Sequence, residues 1–529
     1  MGLKRFLIGR LQKAHIGPPS GNSQPQNNPP NDLSDKLQDN LNRIQTDFGG
    51  STDIVIREFR IHSLNGAKAA LVYLEGLVDQ QLISDSLMES LLQFSKGDSS
   101  IPAFHPDQDP VTYIKEFVLA IGKTSDITNF DSLFQAVLSG STTLLIDGCN
   151  QAISAATRGG KDRGVTESSR EMVIRGPQES FSEVLGTNTA LIRRKIKDRN
   201  LRLETKQIGR VTKTDVAMMY VNGIVDEKVV EEVRSRLHQI DTDSILESGY
   251  IEEWIQDETF SPFPTMFYSE RPDVIAAELL EGKVAILIDG TPMVLIVPAL
   301  FVAFINSAED HYQRANISSM LRILRYIGIF ISFLAPSLYI AITTFHQEML
   351  PSDLLISLAA QREGVPFPAF IEALMMEITF EILREAGLRM PKVIGQTISI
   401  VGTLVLGQAA VEAGVVSPAM VIIVSITAIS SFLFPSYNMA IAFRILRFPL
   451  MGLAASFGIF GIFVGVVAIL FHLCSLRSFG VPYMSPFAPL TVSDLKDTII
   501  RLPHWMLVTR PRSISQKNAI RSKPSQPEK

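Results

Sequence analysis

The chain is predicted to join an α/β cytoplasmic region of two similar modules to an α-helical polytopic membrane domain. Three observations predict it: long stretches free of Lys, Arg, Asp and Glu between Tyr326 and Cys474, two gapless matching segments upstream of them, and strand-length apolar runs within those segments. Residues 326–345 are 20 in number and carry no formal charge. As a helix they span about 30 Å, the thickness of a bilayer's hydrocarbon core. Residues 394–411, 418–441 and 449–473 are similarly long and uncharged. One soluble fold has no use for four such helices in one block.

Averaged over 529 residues the composition looks only mildly apolar, 46% hydrophobic, because about 300 soluble-looking residues come first. A net charge of −5 says little about partners, although both ends are locally basic (Lys4, Arg5, Arg10, Lys13; Arg510, Arg512, Lys517, Arg521, Lys523, Lys529). Such ends suit an anionic membrane surface or are ordinary solvated tails. The two cysteines, Cys149 and Cys474, exclude a disulfide framework and agree with a cytosolic N-terminal region. Residues 1–11 hold only Phe6–Ile8 as an apolar core, too short for a signal peptide. Residues 17–31, rich in Pro, Asn and Gln, place a disordered tail over 1–51.

The duplication defines the modules. IREFRI and AALVYLEGLVDQQLI (from Ile56) match LETKQI and VAMMYVNGIVDEKVV (from Leu203), so that Tyr73 falls on Tyr220, Gly76 on Gly223 and Asp79 on Asp226. Each apolar run reads as a buried strand, followed by a Gly turn and a helix that Asp79 or Asp226 caps. A second pair, LSGSTTLLIDG at 138–148 and LEGKVAILIDG at 280–290, carries the Asp-Gly hairpin signal. Modules at 52–158 and 201–300 follow, with chance similarity as the competing explanation. The linker 159–200 has helical spacing from Glu179 to Arg194, and Arg193, Arg194 and Lys195 close it as solvated cations or as phosphate or headgroup ligands. Residues 284–305 tempt a transmembrane assignment, but their first-copy counterpart holds Asp147, Asn150 and Gln151. A hairpin over 284–297, with only 298–305 touching lipid, is therefore expected, and a re-entrant segment is the alternative.

In the membrane domain (301–475, four or five spans), Arg314, Arg322 and Arg325 place the start of the first span inside, and Arg444 and Arg447 mark a second cytoplasmic loop. The cation-free connector 412–417 is then external. One further crossing is needed, for which residues 366–383 (PFPAFIEALMMEITFEIL) are the candidate. At 100° per residue Glu377, Glu381, Arg384 and Glu385 share a stripe. Acids at membrane depth cost about 2.5–3.5 kcal/mol unless they face protein or water. Glu372, Glu377 and Glu381, with Gln408 and Glu412 at a possible pore entrance, are thus candidate ion-pathway residues. The competing reading is an amphipathic helix lying flat at the interface. An external C-terminal segment (476–529) gives five crossings and a buried Glu row; an internal one gives four. Gly402, Gly407, Gly458, Gly461 and Gly465 allow close helix contact, and Pro336 and Pro435, both inside expected spans, are candidate hinges.

No catalytic constellation emerges. The eight His are scattered, and HExxH, phosphate-loop and nucleophile-elbow motifs are lacking, so neither enzyme activity nor a cofactor or metal site is expected.

Arg175-Gly176-Pro177 with Glu179, Phe181, Asn188 and LIRR at 191–194, LIDGTPMVLIVPALF, FHQEML, REGVPFP, FEILREAG and HLCSLRSFGVPYMSPFAP together resemble the A subunit of bacterial spore germinant receptors, in order, from about Asp53 to Pro511. The resemblance implies a multi-pass subunit of a nutrient receptor in the spore inner membrane, with a permease-like B subunit and a lipoprotein C subunit as partners. It implies nutrient binding chiefly by B, and an A subunit that forms an oligomeric channel for monovalent cations; nucleic acid is not an expected partner. A solute transporter and a non-conducting scaffold are the alternatives.

Overall fold

The strand-length apolar runs build two five-stranded antiparallel sheets in a computed structural model that describes residues 31–515 and 518–522, apart from 62–63, 65, 94–103, 105–107, 120–122, 160–170, 172 and 390–406. The first sheet contains β1 (Ile54–Ile61), β2 (Ala67–Leu74), β3 (Thr124–Ile127), β4 (Thr142–Ile146) and β5 (Ala152–Ala155), in the order β1-β2-β4-β5-β3. The second contains β6 (Leu201–Ile208), β7 (Thr214–Val221), β8 (Phe267–Ser269), β9 (Val284–Ile288) and β10 (Val294–Val297), in the order β6-β7-β9-β10-β8. Every residue of β4, β5, β9 and β10 is buried. Cover on both faces explains why these runs are continuous rather than alternating.

Helices α1 (Leu37–Asp47), α2 (Phe130–Leu138), α3 (Leu185–Lys195), α4 (Glu227–Gln239), α5 (Ser248–Ile255) and α6 (Pro272–Leu280) pack on these sheets. Asp79 and Asp226 accept hydrogen bonds from the first backbone N–H groups of the helices that follow them, which satisfies donors a helix leaves unpaired. The Asp-Gly turns reach further. Asp147 Oδ1 accepts from Leu37 N at 3.1 Å and Asp289 Oδ1 from Leu185 N at 2.9 Å. Asn40 exchanges two hydrogen bonds with the backbone of Ser34, and Asn188 does the same with Ser182. Helix α1 therefore lies within the stretch expected as a disordered tail. Helix α3 begins at Leu185 rather than Glu179, because Asn188 folds the preceding residues back on themselves.

Arg193 is not a solvated helix end. It is 1% exposed, and its guanidinium forks onto Asp53 at 2.7 and 2.9 Å and donates to Ser51 Oγ at 2.9 Å. With Thr52 N donating to Leu203 O at 3.0 Å, this pair joins the two sheet units. The hairpin expected over 284–297 matches antiparallel β9 and β10, with Leu295 opposite Ile286. The following segment, expected to touch lipid, instead buries Phe304 and Ile305 against Tyr483 and the helices of the second half.

That half contains α7 (Ala315–Phe345), α8 (Ser352–Arg362), α9 (Ala369–Arg389), α10 (Gly407–Glu412), α11 (Pro418–Ser431) and α12 (Tyr437–Ser475). Helix α7, of 31 residues, and the apolar stretch Tyr437–Ser475 are long and apolar enough for membrane crossing by length and composition. Two expected spans are redrawn. The run 418–441 breaks at 432–436, where Pro435 lies in a connector rather than inside a helix; Pro336 lies within α7. The run 449–473 is not one helix either: α12 reverses at Gly458 (φ 61°, ψ −141°). In a straight helix Leu453 and Gly461 would be about 12 Å apart. Here Gly461 lies against the Leu453 carbonyl and Gly465 against the Leu450 side chain. Only a residue without Cβ adopts the reversal freely, and the bare glycines let arms 437–457 and 459–475 close on each other. The span 394–411 lies largely outside the described residues.

Beyond α12 the chain returns to the second sheet. Ser478 Oγ donates to Thr265 O (2.7 Å), Phe479 N to Asp257 (2.7 Å) and Ser515 Oγ to Ile224 O (2.7 Å).

Replacing Arg193 by Met leaves Asp53 buried without its partner. The expected cost is about 3–5 kcal/mol, read as a lower denaturation midpoint of the sheet half; a midpoint unchanged from the parent contradicts the role given to this pair.

Candidate functional site

The acids picked out from the sequence fall into two places. Helix α9 begins at the end of the bundle far from the sheets, where Glu372 accepts from Ser417 N and Ser417 Oγ at 2.6 and 2.5 Å. It ends near the sheets, where Arg384 donates to Ser431 Oγ at 3.0 Å and lies 4.8 Å from the centre of the Phe432 ring. Between these ends the i, i+4 spacing of Glu377 and Glu381 puts both on the face toward α12. There Arg447 pairs with Glu377, and Arg444 with Glu381 at 3.1 Å.

The Arg447–Glu377 pair is deep, while Glu381 is only half-buried. Glu377 is fully buried and Arg447 is 1% exposed, with Ser332 of α7 3.4 Å from the same guanidinium. Arg444 and Arg447 therefore do not form the loop expected from the positive-inside pattern. They lie inside the first arm of α12, and their i, i+3 spacing matches the acids across the helix interface. Glu381 Oε1, Glu377 Oε1 and the Nε atoms of Arg444 and Arg447 are buried with no hydrogen-bond partner among the described residues. In so apolar a setting a lone charge is costly and opposite charges hold each other.

Gln408 and Glu412 lie elsewhere. They are joined at 2.9 Å on the exposed helix α10, near the far end of the bundle where Gly414 lies against the Gly364 carbonyl. The structure thus groups Glu377 with Glu381, groups Gln408 with Glu412, and leaves Glu372 as a buried cap on α11. Glu385, the fourth member of the expected stripe, pairs with Arg389 on the exposed end of α9. What the sequence reading missed is the basic half of the cluster. The available signal was the complementary spacing of Arg444 and Arg447, which a topology rule had already absorbed.

Arg447→Met alone strands Glu377 and should strongly reduce the folded protein recovered from membranes. The neutral pair Arg447→Met with Glu377→Gln should restore most of it. Equal losses in single and double variants, measured by quantitative immunoblotting, would show that the two side chains are not coupled.

Comparison with known proteins agrees with the ordered motifs. The family model described as Bacillus/Clostridium GerA spore germination protein matches residues 42–513. Spore germination protein KA of Bacillus subtilis (strain 168) is 50% identical over 489 residues, covering 92% of this chain and 88% of that protein. Spore germination protein GerLA of Bacillus cereus is 39% identical over 488 residues, covering 92% and 97%. The crystal structure of the N-terminal domain of the A subunit of the Bacillus megaterium spore germinant receptor GerK3 is 45% identical, covers 51% of this chain and 97% of that one, and superposes with a TM-score of 0.41. The chain belongs to the Bacillus/Clostridium GerA spore germination protein family.

Proposed function

We propose that this chain is the A subunit of a nutrient receptor in the spore inner membrane and forms, as an oligomer, a nutrient-gated channel for monovalent cations. Its partners in this reading are the permease-like B subunit, the lipoprotein C subunit and membrane lipid. The duplicated sheet units are two copies of one module, an inference supported by equal strand orders and by the equivalent Asn40–Ser34 and Asn188–Ser182 exchanges. They lie in the cytoplasm and hold neighbouring protomers together.

The observation that carries the channel reading is the row of charge inside the apolar half. Glu377 and Glu381 are neutralised by Arg447 and Arg444, which suits a closed state impermeable to cations. Nutrient binding elsewhere in the receptor separates α9 from α12 and frees the carboxylates to replace part of an ion's hydration. Gln408 and Glu412 form the outer mouth, and Glu372 positions α11 beside it. Pro336 within α7 and Pro435 at the base of α11 are the hinges for that movement.

In this reading the helical half makes several membrane crossings, to which helices α7, α9 and α11 and the two arms of α12 contribute. The hydrogen bonds of the C-terminal segment to the same sheet unit that precedes α7 support its return to the side of the sheets.

Glu412→Gln is expected to lower nutrient-triggered cation release several-fold while abundance and assembly stay unchanged. Normal release from Glu377, Glu381 and Glu412 variants alike would remove these acids from the pathway.

A further inference from the structure

The segment 257–263 behaves in two opposite ways within four residues. Phe263 is 2% exposed and wedged into the helical half, its ring 5.7 Å from that of Phe443 and 6.1 Å from that of His472. Ser261 Oγ lies 2.9 Å from His472 Nε2, at the sheet-proximal end of the second arm of α12. Phe260, one residue earlier, is 99% exposed. Trp254 and Tyr250, one turn apart on the outward face of α5, are 55% and 45% exposed, while Ile251 and Ile255 face the core.

An aromatic side chain held almost wholly in water by an anchored loop has a large unmet hydrophobic term. Its place decides what covers it. His472 follows Phe471, which is 73% exposed on the same outward apolar face as Phe463 (64%). The hydrogen bond to His472 therefore holds Phe260 where that face ends. We propose that the 257–263 loop is an interfacial anchor, in which Phe260, flanked by Trp254 and Tyr250, inserts into the headgroup–acyl boundary of the leaflet beside the sheet half. The proposal rests on the membrane reading given above. Aromatic rings with an apolar body and, in Trp and Tyr, one polar tip favour that depth. Exposed Glu253 and Glu258 flank the patch, so attraction to anionic lipid contributes nothing and insertion is purely apolar. The anchor fixes the height of the second sheet unit relative to the bundle.

The chain has two tryptophans, Trp254 and Trp505, which makes a direct test simple. Trp254→Phe and Trp505→Phe are combined with Phe260→Trp, a change at an exposed position that leaves the fold intact. The full chain is reconstituted in phosphatidylcholine vesicles with and without brominated acyl chains, and Phe463→Trp in the same background reports on the lipid-facing arm of α12. The expected result is blue-shifted emission from position 260, quenched by brominated lipid without any anionic lipid. Quenching at 463 with water-like, unquenched emission at 260 overturns the anchor and leaves the membrane reading standing. Blue-shifted but unquenched emission at 260 also overturns it, and assigns the patch to a protein neighbour. Absence of quenching at both positions removes the membrane reading and the anchor together.

Discussion

The two halves of the molecule are fastened at Asp310. This buried carboxylate accepts from Arg322 Nε at 2.9 Å and from Arg325 Nη1 at 3.0 Å, both in the first turns of α7. Burial alone would raise its pKa, but the hydrogen bonds and charges of Arg325 and Arg322 hold it below the usual carboxylate range. Arg322 is fully buried and also donates to the Asp497 side chain at 2.8 Å and to the Asp497 carbonyl at 2.9 Å; Arg325 donates to Ile305 O at 2.9 Å. One cluster thus ties together the end of the second sheet unit, the base of α7 and the C-terminal segment. Removing Asp310 would take the shared carboxylate from both arginines and leave Arg322, fully buried, with Asp497 as its remaining acidic partner.

From that base the remaining geometry follows by packing. Helix α7 carries Ser332 to the level at which Arg447 meets Glu377, and its far end, Phe345–His346, lies against Gly458 where α12 reverses. At the near end Gly328 lets Leu433 of the 432–436 connector approach closely. Helix α7 thus connects the Asp310 cluster to the Arg447–Glu377 pair and to the α12 turn. This gives the proposed gate a mechanical connection to the sheet half.

Much of this was legible in the sequence where the cause is local. Strands β2 and β7, the Asp79 and Asp226 caps and the 284–297 hairpin follow from short apolar runs and from the chemistry of Asp and Gly beside them, whereas β3 (TSDI) and β8 (FYS) carry no such run. Contacts between distant segments left no such trace. Arg193 closes a helix and reads as solvated, since nothing nearby announces Asp53, 140 residues earlier. Arg444 and Arg447 look like topology markers until α9 is laid against α12. Helix α1 was hidden by the Pro- and Asn-rich stretch before it, although SDKLQDN and SEVLGTN carry the same Ser and Asn that bond in both units. Gly458 is one glycine among several in an apolar run, and only its backbone angles distinguish a reversal from a small contact surface.

The central claim is that the helical half spans the bilayer and returns the chain to the side of the sheets. With Cys149 and Cys474 replaced, single cysteines at Val211 in the sheet half, Ser352 at the start of α8 and Val492 in the C-terminal segment can be labelled with a membrane-impermeant maleimide in sealed vesicles of known orientation. All three positions are exposed, Val211 to 77% and Val492 to 67%. The account predicts that Val211 and Val492 react from one face and Ser352 only from the other. Val211 and Val492 reacting from opposite faces, or Ser352 reacting together with Val211, would contradict it.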